Sequence, residues 1–332
     1  MKIFGWAADE QGCGYYRISQ PMAALRALGH ETHTSTVLTA EWADADVIVG
    51  QRVCNPGPST TWQRLAADGR RLVFEVDDDL TRIEPGYNPA GHRTFGQPEA
   101  RRRIRANMAA AAMATVTTEP LARAIREHAA DVRVIPNMIP AALLDHARPR
   151  RERLTVGWAG GGVGVHELGI REIAAPLRQF LARTPEADVH LMGSDYRPEL
   201  RVPTARLRYT PWIESVPGYH RSVDFDVGLA PLRPHLFNQS KSDIRILELA
   251  ALGIPVIASG YGPYAEAVQH GVTGYLCRQP HEWVRALTTL AHDQDLRAEM
   301  GAAARTWAAS RTIEDNIHIW EEVLHATQQP GG

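Results

Sequence analysis

Short apolar runs recur along the whole chain, and each is followed by a stretch whose apolar residues fall three or four apart. The first pattern suits a strand buried on both faces, the second an amphipathic helix. This alternation constrains the fold sharply: each helix carries the chain back over the sheet, so successive strands run parallel. Residues 3–7, 47–50, 72–76, 115–118 and 132–135 read as strands of one such sheet. Gly12-Cys13-Gly14 reads as the loop after the first strand. Residues 16–28 read as a helix with Ile18, Met22, Leu25 and Leu28 on one face, ended by Gly29.

After Ile135-Pro136-Asn137 and the charged run 148–153, the pattern starts again. Strands are expected at 154–158, 189–192, 207–209, 227–230, 255–258 and 274–276, with helices between them. A chain of 332 residues exceeds what one core usually supports. The reading is α/β with two Rossmann-like domains, 1–140 and 141–311. The segment 312–332 follows as a helix that carries Ile313, Ile317, Trp320 and Leu324 on one stripe and returns toward the first domain. In doubly wound sheets ligands gather at the carboxyl ends of the strands, so a cleft between two such sheets is the expected site.

Composition narrows the class. A net charge of -2 with 22% charged residues argues against a simple basic nucleic-acid surface. Cys13, Cys54 and Cys277 are widely spaced and form no C-x-x-C pair, which fits a reducing compartment and no structural zinc. The amino terminus has no signal-like apolar region, and no run approaches the ~20 apolar residues of a membrane span. A cytoplasmic enzyme is the expectation.

Lys2 and Lys241 are the only lysines in an arginine-rich chain. A compact ammonium is suited to a phosphate, and Glu248 follows Lys241 by nearly two helical turns. The two share a face, with Arg245 between them, if a helix starts near Ser242. The plainer alternative is a surface ion pair between Arg245 and Glu248. Gly160-Gly161-Gly162 follows the 154–158 strand and precedes a helix at 168–181, as a diphosphate cradle or a flexible turn. Gly260, Tyr261, Gly262 and Pro263 form a second glycine-rich loop after a strand. Asp77-Asp78-Asp79 reads as a helix cap or acceptor-binding group rather than a metal site. His92 falls in a loop, either a surface histidine or a group that orients an acceptor. Trp212 either packs its loop or flanks a nucleobase.

The run Val227-Gly228-Leu229-Ala230-Pro231-Leu232, with Lys241-Ser242, Leu247-Glu248 and Gly253-Ile254-Pro255-Val256-Ile257-Ala258-Ser259, resembles the donor domain of GT-B glycosyltransferases. Glu266 to Leu276 extends the likeness to the retaining glycosyltransferase family 4, and Ile135-Pro136-Asn137 resembles that family's interdomain segment.

The resemblance implies transfer of a sugar from a nucleoside diphosphate donor, UDP- or GDP-linked, with retention and without a metal or other cofactor. Glu248 matches the second glutamate of the family's two-glutamate motif, which holds the donor ribose. The first glutamate is replaced by Ser240. The first loop of the donor domain lacks the usual arginine and lysine, so Lys241, with Arg245 or His166, is expected to carry the diphosphate. Gly160, Gly161, Gly162, Asn238, Ser242, Tyr261, Gly262 and Pro263 complete the expected donor set. Gly12, Gly14, Tyr15 and Arg17 match the family's glycine-rich acceptor loop, joined on the acceptor side by Asp78 and His92. Two other functions compete: a GT-B sugar-nucleotide epimerase and a catalytically silent sugar-nucleotide-binding module. The acceptor carries no motif, and a modified nucleic-acid base stays among the candidates.

Overall fold

The computed structural model describes residues 1–149, 151–161 and 165–327, with only the backbone of 165–167. The chain divides into two compact units. The first comprises Met1–Pro140, Ser240–Ser242 and the segment from Arg311 on; the second comprises Ala141–Gln239 and Asp243–Ser310. Among the described residues no helix is long and apolar enough to cross a membrane.

In the first unit the strands are β1 (Lys2–Trp6), β2 (Glu31–Ser35), β3 (Val47–Gln51), β4 (Leu72–Val76), β5 (Met113–Val116) and β6 (Val132–Val134). They form one parallel sheet in the order β2-β1-β3-β4-β5-β6. β3 and β4 are buried along their whole length, which is why they are apolar apart from the buried Gln51 and Glu75. β2 has no counterpart in the sequence reading. It is an edge strand of sequence Glu-Thr-His-Thr-Ser with only Thr32 buried, so no apolar run announces it.

The connection after β1 differs from expectation. Gly12–Gly14 is already helical, Tyr15–Ser19 forms a π-turn, and Gln20–Ala27 continues as α-helix. A β-carbon on Gly14 would lie 1.8 Å from the Asp9 carbonyl oxygen, so that glycine is there for close backbone approach rather than as a flexible loop. The helix Ile313–Ala326 buries Ile313, Ile317, Trp320 and Leu324 in a core that also holds Ile3, Ile18, Met22 and Leu25. Its entry is pinned by Ile313 N–H donating to the Ile139 carbonyl at 2.8 Å.

The second unit contains β7 (Leu154–Gly160), β8 (Ala187–Gly193), β9 (Leu207–Pro211), β10 (Val227–Ala230), β11 (Val256–Ser259) and β12 (Gly274–Cys277). Their order is β12-β11-β10-β7-β8-β9, again all parallel. Helices Val165–Arg183 and Pro280–His292 cover a core around Trp158, Phe180, Leu191 and Leu229.

Both strand orders reverse once: between β1 and β3 in the first unit, and between β7 and β10 in the second. At such a reversal the connections leave the two neighbouring strands in opposite directions and open a crevice at their carboxyl ends.

Candidate functional site

At the reversal in the second unit, β7 ends on Gly160 and runs into Gly161. Helix Ile244–Ala251 presents Arg245 and Glu248 one turn apart. The Arg245 guanidinium lies over the Trp158 ring, 5.2 Å from its centroid. A β-carbon on Gly160 would come within 2.4 Å of Arg245 Nη2, so glycine is what admits the guanidinium. Its Nη1 is buried and meets no hydrogen-bond acceptor among the described residues. A buried cationic donor left unpaired costs about 1–3 kcal/mol.

Glu248 is mostly buried, and His220 Nε2 lies 3.1 Å from its Oε1. The neighbouring Tyr219 phenol is pushed well up by burial and by the Glu248 carboxylate, and so stays a neutral donor. Beside Gly161, Trp212 is 48% exposed and lines a cavity of about 340 Å³ with Gly161, Gly193 and Ser194. A β-carbon on Gly161 would meet the Trp212 ring at 2.6 Å.

In the first unit a charged cluster occupies the carboxyl ends of β1, β3 and β4. Arg52 follows β3 in a left-handed conformation, φ +50°, and both its Nε and Nη2 donate to Asp77 Oδ1. Burial raises the Asp77 carboxyl, but Arg52 more than offsets it and holds it below the usual range. Asp78 is raised by burial against the opposing pull of Lys241, whose Nζ lies 3.2 Å from Asp78 Oδ1. The Cys13 thiol is driven well up by burial despite Arg52, so it remains protonated and unreactive.

Beneath this cluster Arg17 is 1% exposed. It donates through Nε to Glu75 Oε1 at 2.6 Å and through Nη1 to the Ile135 carbonyl at 2.7 Å. Burial pushes Glu75 up to about 7 even against Arg17.

Residues 155–293 match the family model for glycosyl transferases group 1. Over 106 residues the chain is 31% identical to a GDP-mannose-dependent alpha-(1-6)-phosphatidylinositol monomannoside mannosyltransferase of Mycobacterium tuberculosis; the match spans 31% of this chain and 28% of that protein. A D-inositol 3-phosphate glycosyltransferase of Corynebacterium glutamicum is 39% identical over 82 residues, 22% of this chain and 19% of its own. The chain thus spans under a third of the length of these curated relatives. Among solved structures, HepE of Anabaena in complex with UDP-glucose superposes with TM-score 0.68 at 17% identity, over 97% of this chain and 99% of that one. A sucrose-phosphate synthase of Thermosynechococcus elongatus gives 0.66 at 14%, over 99% of each. The fold is GT-B.

Within the matched stretch the expected donor residues separate into two sets. Gly160, Gly161, Arg245 and Glu248 come together at the strand reversal. Gly262 has φ +56° and precedes Pro263, while the Tyr261 hydroxyl donates to the His235 carbonyl at 3.1 Å. Asn238 is fully buried, and its amide nitrogen donates to the Arg233 carbonyl at 2.8 Å within its own turn. Gly162 and the His166 side chain lie outside the described residues.

Lys241 is corrected, because the helix starts at Ile244 and the lysine therefore shares no helix face with Glu248. Residues 240–242 instead form a short non-helical strap between helices Leu236–Gln239 and Ile244–Ala251, and they group with the first unit. Thr118 Oγ1 donates to the Ser240 carbonyl at 3.0 Å, Asn137 Nδ2 donates to Ser242 Oγ at 2.8 Å, and Asp78 pairs with Lys241.

On the acceptor side, Arg17 is buried in an ion pair with Glu75 and also reaches Asn137 Oδ1. Tyr15 stacks edge-on against Tyr16, and Gly12 faces open space. Nor does the aspartate triplet cap a helix: Asp77 takes Arg52, Asp78 takes Lys241, and Asp79 accepts from the backbone and hydroxyl of Thr81. His92 lies on a short helix, Pro89–Thr94, not in a loop.

Sequence reasoning missed Arg52, whose signal is visible only as a positive φ, and His220, which carries no motif.

Proposed function

We propose that this protein is a retaining glycosyltransferase that takes a sugar from a nucleoside diphosphate donor bound on the second unit. The unpaired buried nitrogen of Arg245, at the carboxyl end of β7, carries the reading: it provides a fixed positive donor where a diphosphate oxygen would be received. Glu248 accepts the ribose hydroxyls, with His220 holding the carboxylate in place. Trp212 offers its exposed face to the base. HepE was crystallised with UDP-glucose and the mycobacterial relative is GDP-mannose-dependent, so UDP and GDP are the nucleotides to try.

In retention by same-face departure and attack, the leaving diphosphate is the group that needs stabilising, and positioned cations supply this. Arg245 provides one such charge. Lys241 provides a second on this proposal, partnered by Asp78 before the donor arrives. Transfer then proceeds without a divalent cation, in a reducing, cytoplasmic setting. The acceptor belongs to the first unit, where Asp78 and the strained Arg52 lie at the sheet's carboxyl ends.

The test is to incubate the protein with UDP- and GDP-linked sugars in the presence of a chelator and follow nucleotide release. Slow donor hydrolysis that falls at least roughly ten-fold in Lys241→Ala is the expected result. Binding without release, or isomerisation of the donor sugar, overturns the transferase reading. Normal turnover in Lys241→Ala overturns the role of the lysine alone.

A further inference from the structure

At the opposite end of the first unit's sheet, three side chains from two elements converge. His30 sits in the turn between helix Gln20–Ala27 and the amino end of β2. Gly29 at φ +94° makes that turn, and His30 N–H closes it by donating to the Leu25 carbonyl at 3.2 Å. Glu321 and His325 are four residues apart on helix Ile313–Ala326 and so share a face. His30 Nε2 lies 2.9 Å from Glu321 Oε1, and the His30 and His325 ring centroids are 6.1 Å apart. One ligand atom from each of the three residues lies within 4.8 Å of the others.

We propose that His30, Glu321 and His325 form a transition-metal site suited to zinc. Two imidazoles and one carboxylate make the N,N,O donor set that zinc accepts, with a fourth position left to water. Magnesium and calcium favour sets made of oxygens alone. Zinc bonds of ~2.0–2.2 Å put tetrahedral ligand atoms roughly 3.3 Å apart. Turning the exposed His325 would bring the three ligand atoms to that spacing.

An ion pair would need only His30 and Glu321; the second imidazole on the same helix face is what an ion pair leaves unexplained. The site is structural in kind. It lies at the amino end of β2, at the opposite sheet end from Arg52, Asp77 and Asp78, and it clips the helix to the turn before that strand. Cysteine spacing gave no hint of it, because its ligands are histidines and a glutamate up to 295 residues apart in the sequence.

The untagged full chain, stripped with a chelator and dialysed, is titrated with zinc chloride by calorimetry. Cobalt(II) is titrated in parallel and followed by visible absorption. His325→Gln and Glu321→Gln are compared with the parent; neither touches the buried stripe Ile313, Ile317, Trp320 and Leu324, so both fold. The expected result is one zinc per chain, a raised melting temperature and the intense visible bands of tetrahedral cobalt. Each variant should weaken affinity by more than the roughly 10–100-fold that losing a supporting group costs. Equal affinity in parent and variants, or no zinc uptake by the parent, overturns the proposal.

Discussion

Replacing Arg245 with methionine should weaken donor binding and stabilise the free protein at once. In the unliganded molecule Arg245 holds a buried nitrogen with no acceptor, a cost of about 1–3 kcal/mol. Methionine keeps an apolar stem over Trp158 and removes the unpaired donor. It gives up the cation–π contact, whose ring distance is 5.2 Å, worth about 0.5–1 kcal/mol. The net is a gain of about 1 kcal/mol, which in a unit of this size raises the melting temperature by roughly 2–4 °C.

The donor sees the reverse. A charge-assisted hydrogen bond to phosphate is worth about 1.5–3 kcal/mol, so the Kd for UDP or GDP should rise about 10- to 150-fold. Uridine and guanosine, which lack the diphosphate, should bind the variant as they bind the parent. Calorimetric titration with the four ligands and scanning calorimetry of both proteins make the comparison. A variant that melts lower and binds the diphosphates normally would refute the reasoning, since Arg245 would then be a structural residue.

The Glu75 carboxyl, at about 7 in the folded protein, lies above its ordinary value of 4.5 because burial disfavours its charge. The stability it contributes is complete below pH 4.5 and is lost as pH rises through 7. The shift corresponds to about 3 kcal/mol, so the unfolding free energy of Glu75→Gln relative to the parent should improve by that order between pH 4.5 and 8. Urea denaturation at several pH values reads the difference; a flat difference contradicts the assignment. Trp212→Ala should cost about 1–3 kcal/mol of binding to uridine or guanosine monophosphate. It should leave the melting temperature unchanged, because 48% of Trp212 is exposed. Unchanged nucleotide affinity would return Trp212 to loop packing.

The buried parts of the architecture were legible because burial writes itself into sequence. β4, with Leu72, Val73, Phe74 and Val76 all fully buried, has to be an apolar run, and the stripe Ile313, Ile317, Trp320 and Leu324 has to repeat at helical spacing. β2 was illegible because an edge strand with one solvated face can be built from threonines, a histidine and a serine. The strap 240–242 was misread for a related reason. Local pattern favours extending an amphipathic helix upstream of Ile244, whereas Thr118, Asp78 and Asn137 engage those three residues in tertiary contacts outside any helix.

Arg17 shows the limit from the other side. An arginine at the start of a helix is ordinarily solvated, and only the fold brings Glu75, 58 residues away, under it. The motifs read in the sequence named glycine and glutamate positions of the donor side. They carried nothing about Arg52 or His220, which are placed by backbone conformation and packing rather than by a motif.

The strap has a consequence for engineering. Because Ser240–Ser242 belongs with the first unit while the residues on either side belong with the second, no single cut separates the units. A chimera made by exchanging everything after Pro140 would import a foreign tripeptide into a seat made by Thr118, Asp78 and Asn137. Donor-domain grafts into this scaffold should therefore keep Ser240, Lys241 and Ser242 native, treating them as three residues of the recipient carried within the donor's sequence.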